Sequence, residues 1–266
     1  MQWLRAPGAD DDKRSMGVLG VVTGSERYPG AAVLGVEAAW RTGIGMVRLW
    51  APRRVQDLVL ARRPETVCHA LDEPAGGVDA WLLGSGQDAR ERDPGLRSLL
   101  LEALRSGEPC VVDAGSLDLV PGHAGPAVVT PHARELERSL EQLGARVDDD
   151  GRMCAAAAAA ALDAVVVAKG AATLVVEPGG TSTTIEAATH RLATAGTGDV
   201  LAGMLGALVA ANADAVREPE PLASLAALGV ALHGEAAAAA AAGGRPITAL
   251  DVAEHVPAAI AARLAR

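Results

Sequence analysis

Short apolar runs that end in glycine-bearing turns alternate along this chain with longer alanine- and leucine-rich segments. The first run, residues 17–23, carries Val18, Leu19, Val21 and Val22 and stops at Gly24-Ser25, which predicts a buried strand delivering a loop. That loop, Gly24-Ser25-Glu26-Arg27-Tyr28-Pro29-Gly30, leads into a helical segment over 31–40, so its tip faces a helix N-terminus. The alternation repeats, with strands predicted at 46–50, 66–70, 80–83, 109–113 and 127–129 and helices at 53–61, 95–105 and 131–144. Strands at 165–168 and 174–176 flank a turn at 169–173. Residues 181–185 alternate β-formers after Pro178-Gly179-Gly180, which predicts antiparallel pairing with the strand before them. The pattern is that of an α/β fold on a mixed, mostly parallel sheet. The last third reads as helices over 204–211, 222–242 and 248–265, broken by Pro219-Glu220-Pro221 and Gly243-Gly244-Arg245-Pro246. The alanine runs 155–161 and 236–242 record helix propensity and carry no chemistry.

With 266 residues, half of them hydrophobic, the chain can bury one large core, and a single domain over 14–266 is expected. Residues 1–13, with Asp10-Asp11-Asp12-Lys13, are set apart as a flexible acidic arm. A formal charge of −9 without a basic cluster argues against a nucleic-acid surface, which draws on grouped Lys and Arg. Cys68, Cys110 and Cys154 are far apart, so neither a disulfide framework nor a zinc site is indicated. There is no apolar signal segment at the N-terminus and no uninterrupted apolar run long enough to span a bilayer, so a cytoplasmic protein without a membrane partner is expected.

The chemistry concentrates in Ala193-Thr194-Ala195-Gly196-Thr197-Gly198-Asp199-Val200-Leu201-Ala202-Gly203. Gly196 and Gly198 let the backbone approach a ligand, and free N–H groups at the following helix start can hold a phosphate. Asp199 beside that site can take a proton from a hydroxyl attacking phosphorus; alternatively it is an N-cap on an ordinary loop. Asp113 stands at the carboxyl end of a predicted strand, where ligands of open α/β sheets collect, or is a turn residue. His132 and Glu135, three apart at a helix start, can face the same way and share a ligand or a hydrated cation; alternatively His132 is a surface or capping residue. His233 and Glu235 lie within a predicted helix and are read as packing and solvent contacts.

Five ordered motifs resemble the ADP-dependent NAD(P)H-hydrate dehydratases. They are Gly-Ser-x-x-Tyr-Pro-Gly-Ala at 24–31, Arg-Thr-Gly-x-Gly-Met-Val at 41–47, Thr-Pro-His-x-x-Glu at 130–135, Lys-Gly-Ala-x-Thr at 169–173 and Ala-Gly-Thr-Gly-Asp-Val-Leu-Ala-Gly at 195–203. The resemblance implies a ribokinase-like three-layer α/β/α sandwich. It implies dehydration of hydrated NADH or NADPH with ADP as co-substrate, releasing AMP and phosphate, with Asp199 as base and Mg²⁺ as cofactor. Residue by residue, Ala31, Gly86, His132 and Asp199 would contact the hydrated dinucleotide. Lys169, Gly170, Ala171, Ala172, Thr173, Gly196 and Gly198 would hold the adenosine nucleotide, and Glu135 would organise Mg²⁺. Relatives often form tetramers and carry an epimerase domain, so a homo-oligomer and a separate epimerase are expected.

The sequence departs from the family pattern in three places. Gly84-Ser85-Gly86-Gln87-Asp88 stands for Gly-Pro-Gly-Leu-Gly, Asp113-Ala114-Gly115-Ser116-Leu117-Asp118 for Asp-Ala-Asp-Ala-Leu-Asn, and Arg134 for a glycine, its side chain expected in solvent. Two other readings share the glycine turn. One is a ribokinase-like kinase of a vitamin precursor such as hydroxymethylpyrimidine or hydroxyethylthiazole, and the other is a nucleotide sensor.

Overall fold

Alternate residues of the apolar runs point to opposite faces of one sheet, and that alternation builds two separate cores. The computed structural model describes residues 3–4, 6–145, 147–148 and 150–265. Among them nine strands are hydrogen-bonded in the order β3-β2-β1-β4-β5-β6-β7-β8-β9. These are β1 (Val18–Val22), β2 (Met46–Trp50), β3 (Val67–His69), β4 (Ala80–Leu83), β5 (Cys110–Val112), β6 (Ala127–Val129), β7 (Val165–Ala168), β8 (Ala172–Val176) and β9 (Ser182–Glu186). The pairings from β3 through β7 are parallel, while β7–β8 and β8–β9 are antiparallel, as the alternation at 181–185 predicts. Leu19, Val21, Val47, Leu49, Leu82, Val111 and Val128 join one core; Val22, Trp50, Trp81, Leu83, Val112 and Val129 join the other.

Helices cover both faces. On the first lie α1 (Pro29–Thr42), α2 (Arg53–Arg62), α6 (Thr197–Ala211), α7 (Pro219–Ala240) and α8 (Ala249–Leu264); on the second lie α3 (Pro94–Arg105), α4 (Ala133–Gln142) and α5 (Gly151–Leu162). Helix α7 starts earlier than its apolar pattern suggests because Pro219 and Pro221 fit the first turn of a helix. By length and composition α7 is also apolar enough to cross a membrane, contrary to the expectation from the sequence, and 61% of its most apolar window is buried inside the fold. Burial between α6 and α8 accounts for its composition. A 3-10 segment at Ala114–Gly122, unexpected from the sequence, follows β5. Within the acidic arm, Trp3 and Leu4 pack on the first core, and Trp3 Nε1 donates to Ser224 Oγ at 3.1 Å.

Strand order reverses at β1, which has β2 on one side and β4 on the other. The connections leaving β1 and β4 therefore run in different directions and leave a crevice at their carboxyl ends. Both motif loops that follow these strands open there.

A buried ion cluster ties α1 to α2 and α8. The Glu37 carboxylate, with no side-chain exposure, is held by Arg41 at 3.0 Å, by Arg62 at 3.2 Å and by Arg63, and Arg62 also reaches Glu254 at 2.8 Å. Burial by itself would raise the Glu37 pKa, but hydrogen bonds from Arg63, Arg41 and Arg62 bring it down to about 2. A depressed carboxylate pKa stabilises the fold above the unfolded value, and that contribution is lost as the pH falls from about 4.5 towards about 2. Urea unfolding should show its midpoint dropping across this interval. Glu37→Gln, which leaves three guanidiniums short of a counter-charge, should lose about 3 kcal/mol at neutral pH and flatten the acid dependence.

Candidate active site

Gly24, Ala31 and Gly86 meet because two of the glycines lack a Cβ. A Cβ on Gly86 would lie 2.4 Å from Ala31 Cβ and 3.2 Å from Gly24 Cα, and one on Gly24 would lie 2.9 Å from Ala32 Cβ. Gly86 has a φ of 69°, in the region that favours glycine. The loops after β1 and β4 thus close on the N-terminus of α1. Leu34, one turn beyond Ala31, abuts Gly196, where a Cβ would come within 2.5 Å of Leu34 Cδ1. Gly196, with a φ of 88°, caps α6 without any side-chain hydrogen bond. The first turn of α6 consequently offers unpaired N–H groups beside Asp199. Asp199 has no capping hydrogen bond, so its sequence alternative as an N-cap is not what the structure shows.

Four strand ends converge on one carboxylate. Asp113, following β5 and only 3% exposed, accepts from Ser85 Oγ at 2.9 Å, Thr130 Oγ1 at 2.7 Å and Lys169 Nζ at 2.8 Å. These partners follow β4, β6 and β7. Lys169 Nζ lies 3.5 Å from the place a Cβ on Gly198 would occupy, so the ammonium sits at the start of α6. Asp199 has its pKa raised to about 6, first by burial and then by the Asp113 charge, with Lys169 opposing both.

The nucleotide residues expected from sequence border a cavity of about 530 Å³. Lys169, Gly170, Ala171, Thr173 and Gly198 line it, whereas Gly196, packed against Leu34, and Ala172, which begins β8 in register with Glu186, do not. Its other wall went unrecognised in the sequence: Ile185, Ala188, Leu192, Leu201, Val230 and His233. His233 is buried, with its pKa pushed down to about 4 by burial, and its Nε2 has no partner among the described residues. No signal in the sequence distinguishes that histidine from a packed helix residue.

His132 and Glu135 do face each other, and the reason is a capping box. Glu135 N donates to His132 Nδ1 at 3.3 Å, while Glu135 Oε2 accepts from His132 N at 2.9 Å. His132 is half exposed and pairs in a parallel bridge with Lys169, which puts it at the rim of the same site. Beyond it a recess of about 430 Å³ is lined by Tyr28, Gln87, Arg90, Glu135 and Arg138. Arg134 is exposed to solvent, as expected. Of the two loop departures, Gln87 is buried and donates to Val22 O at 3.1 Å, and a Cβ on Gly115 would come within 2.2 Å of Gln87 O. The two changes therefore accommodate each other. A further cavity of about 550 Å³, among Pro121, His123, Asp163 and Arg217, contains none of the predicted site residues.

The glycine turn and the raised carboxylate stand between these two recesses, and comparison with known proteins gives the family of the chain. The NAD(P)H-hydrate dehydratase profile matches residues 19–258. The chain belongs to the NAD(P)H-hydrate dehydratase family. It is 32% identical to the ADP-dependent (S)-NAD(P)H-hydrate dehydratase of Neisseria meningitidis, over 88% of this chain and 80% of that protein. It is 38% identical to the bifunctional NAD(P)H-hydrate repair enzyme Nnr of Mycobacterium leprae, over 96% of this chain and 53% of that protein. The chain thus spans about half the length of the bifunctional relatives it matches. The ADP/ATP-dependent NAD(P)H-hydrate dehydratase of Bacillus subtilis, crystallised with ATP and Mg²⁺, superposes with a TM-score of 0.81 at 25% identity, covering 98% of this chain and 94% of that one. The three-layer ribokinase-like fold expected from the motifs is the fold of this dehydratase family member.

The environment of Asp199 can be tested without substrate. Its side-chain carboxyl ¹³C resonance, assigned by comparison with Asp199→Asn, should titrate near pH 6 in the ligand-free protein. Lys169→Met removes the opposing cation and should move that midpoint upward; a downward move would contradict the electrostatics described here.

Proposed function

We propose that this enzyme removes water from the hydrated nicotinamide ring of NADH or NADPH at the expense of ADP, releasing AMP and phosphate. The observation that carries the reading is a carboxylate raised to about 6 at the start of α6, beside an uncapped helix N-terminus and a lysine. A base of this kind is unprotonated at neutral pH and still able to accept a proton from a hydroxyl. The terminal phosphoryl group of ADP would rest on the α6 amides with Lys169 alongside, its adenosine extending into the 530 Å³ cavity. The hydrated dinucleotide would enter from the Gly24, Ala31 and Gly86 side, past His132, with Arg90 and Arg138 in the adjoining recess.

Asp199 takes the proton of the ring hydroxyl while its oxygen bonds to phosphorus and AMP leaves. The ring nitrogen lone pair then expels phosphate with the C–O bond, and loss of a proton from the neighbouring ring carbon restores the dihydronicotinamide. Hydroxide is a poor leaving group and phosphate a good one, which is why a kinase-like site suits a dehydration.

Mg²⁺ fits this arrangement as a hydrated ion carried by the nucleotide. No group of three or more potential ligands occurs among the described residues, and a phosphate-borne Mg²⁺ needs only one or two carboxylates. We assign Glu135 to its water shell, because Glu135 acts electrostatically on Lys169 although its carboxylate also closes the capping box. The ion would supply charge neutralisation on the phosphates. The epimerisation half of the bifunctional relatives would be a separate activity.

The test is incubation with hydrated NADH, Mg²⁺ and either ADP or ATP, following the return of dihydronicotinamide absorbance. Turnover with ADP is expected, and its absence with both nucleotides would refute the reading. Asp199→Asn should bind ADP unchanged and lose about 10³-fold in kcat. In the wild-type enzyme kcat/KM should fall on the acid side with a midpoint near pH 6.

A further inference from the structure

Lys13 and Lys169 are the two lysines in a chain with 24 Lys and Arg residues in all. Elsewhere among the described residues, carboxylates are met by arginine or histidine, as at Glu37, Asp57, Glu91, Asp118 and Glu235. At the candidate site the fold uses a compact ammonium, 3.5 Å from the place a Cβ on Gly198 would occupy, a point charge for which a planar guanidinium is no substitute. That ammonium lies in the field of more than one carboxylate. It acts on both Asp113 and Asp199, and Glu135 is the third acid that faces it. It is found on Asp113, at 2.8 Å.

The choice matters for the proposed chemistry. A lysine paired with Asp199 would occupy the lone pair the base needs and, by lowering its pKa, hold it as a deprotonated but weakly basic carboxylate. The structure over-determines the other pairing. Asp113 is fixed by Ser85 and Thr130 from the neighbouring strand ends. It is followed by Ala114 in the left-handed region, at a φ of 45°, a strained position for a residue with a side chain. Gly84 closes on it so tightly that a Cβ would stand 2.1 Å from Asp113 O.

We propose that Asp113 is a positioning residue: it holds the Lys169 ammonium beside Gly198, facing the nucleotide's terminal phosphate, and so keeps Asp199 free to act as the base. The charged groups involved are Asp113, Lys169, Asp199 and Glu135, with neutral His233 the nearest other titratable side chain affected by Lys169. This assignment rests on the dehydratase reading for its catalytic consequence, but its electrostatic part does not.

Asp113→Asn keeps the shape and the hydroxyl partners and removes the charge. Lys169 should then turn to Asp199, whose carboxyl ¹³C midpoint should drop from near pH 6 to below the ordinary aspartate value. The acid limb of kcat/KM should follow it down. We expect kcat to fall at least about tenfold while KM for ADP changes less than about threefold, since the loss is in the transition state and not in ground-state binding. An Asp199 midpoint that stays near pH 6 would overturn the proposal. Should Asp113→Asn fail to fold, the paired substitution Ser85→Ala and Thr130→Val loosens Asp113 without removing its charge. It should also lower kcat at constant KM for ADP, and an unchanged kcat would overturn the proposal. Because the midpoint is read without substrate, a wild-type protein inactive on the hydrate would sink the dehydratase reading and leave this test intact.

Discussion

The crossing of α1 and α6 is the constraint on which the rest of the site depends. A Cβ on Gly203 would stand 2.1 Å from Gly35 O, so the two helices meet backbone to backbone. No side chain separates them there. This approach brings both helix N-termini to the same edge of the sheet, one presenting Ala31 and the other Asp199. A spacer of even one methyl group would part the Ala31 end of α1 from Asp199, and so the proposed ligand from its proposed base. Proximity on this scale governs rate steeply, since reacting atoms have to lie within about 3–3.5 Å of one another. The switch in strand order at β1 supplies the crevice into which both N-termini open.

Charge placement then turns geometry into chemistry. Two acids, Asp113 and Asp199, and one lysine share a buried space, and the protein resolves the competition through neutral donors. Ser85 and Thr130 donate to Asp113 and fix its carboxylate where it both holds Lys169 and pushes the Asp199 pKa up. The Glu37 cluster obeys the opposite logic. There three guanidiniums surround one carboxylate and drive its pKa down, which serves the junction of α1, α2 and α8 and no reaction. The direction of the shift separates Asp199, the proposed base, from the structural carboxylate of Glu37.

The five motifs were legible in the sequence, and the structure gathers four of them at the carboxyl edge of the sheet, while 41–47 joins α1 to the amino end of β2 at the opposite edge. They could be read because each couples glycine or small residues with a polar group in a short stretch, where local backbone demands and chemistry coincide. What escaped notice is assembled across distance. Val230 and His233 of α7 reach the nucleotide cavity only because α7 packs beside α6, and Ala188 and Leu192 are ordinary residues of a hairpin exit. Asp113 was visible as an acid at a strand end, but its three partners come from three other strand ends. The membrane-length apolarity of α7 is masked in the sequence by Ser224, His233 and Glu235, which interrupt the apolar run although the helix as a whole stays apolar. Capping by His132 was legible as one of its two readings, and its partner in the box is Glu135.

The central claim is that this site first phosphorylates the ring hydroxyl and then expels it as phosphate. It can be tested by the fate of one oxygen atom. Hydrated NADH prepared in H₂¹⁸O carries the label in its ring hydroxyl. Incubated with the enzyme, ADP and Mg²⁺, it should yield dihydronicotinamide together with inorganic phosphate bearing one ¹⁸O, because the bond broken in the elimination is the ring C–O bond. Unlabelled phosphate formed alongside restored NADH, with the ¹⁸O recovered in water, would mean that ADP is hydrolysed separately from the dehydration and would contradict the account.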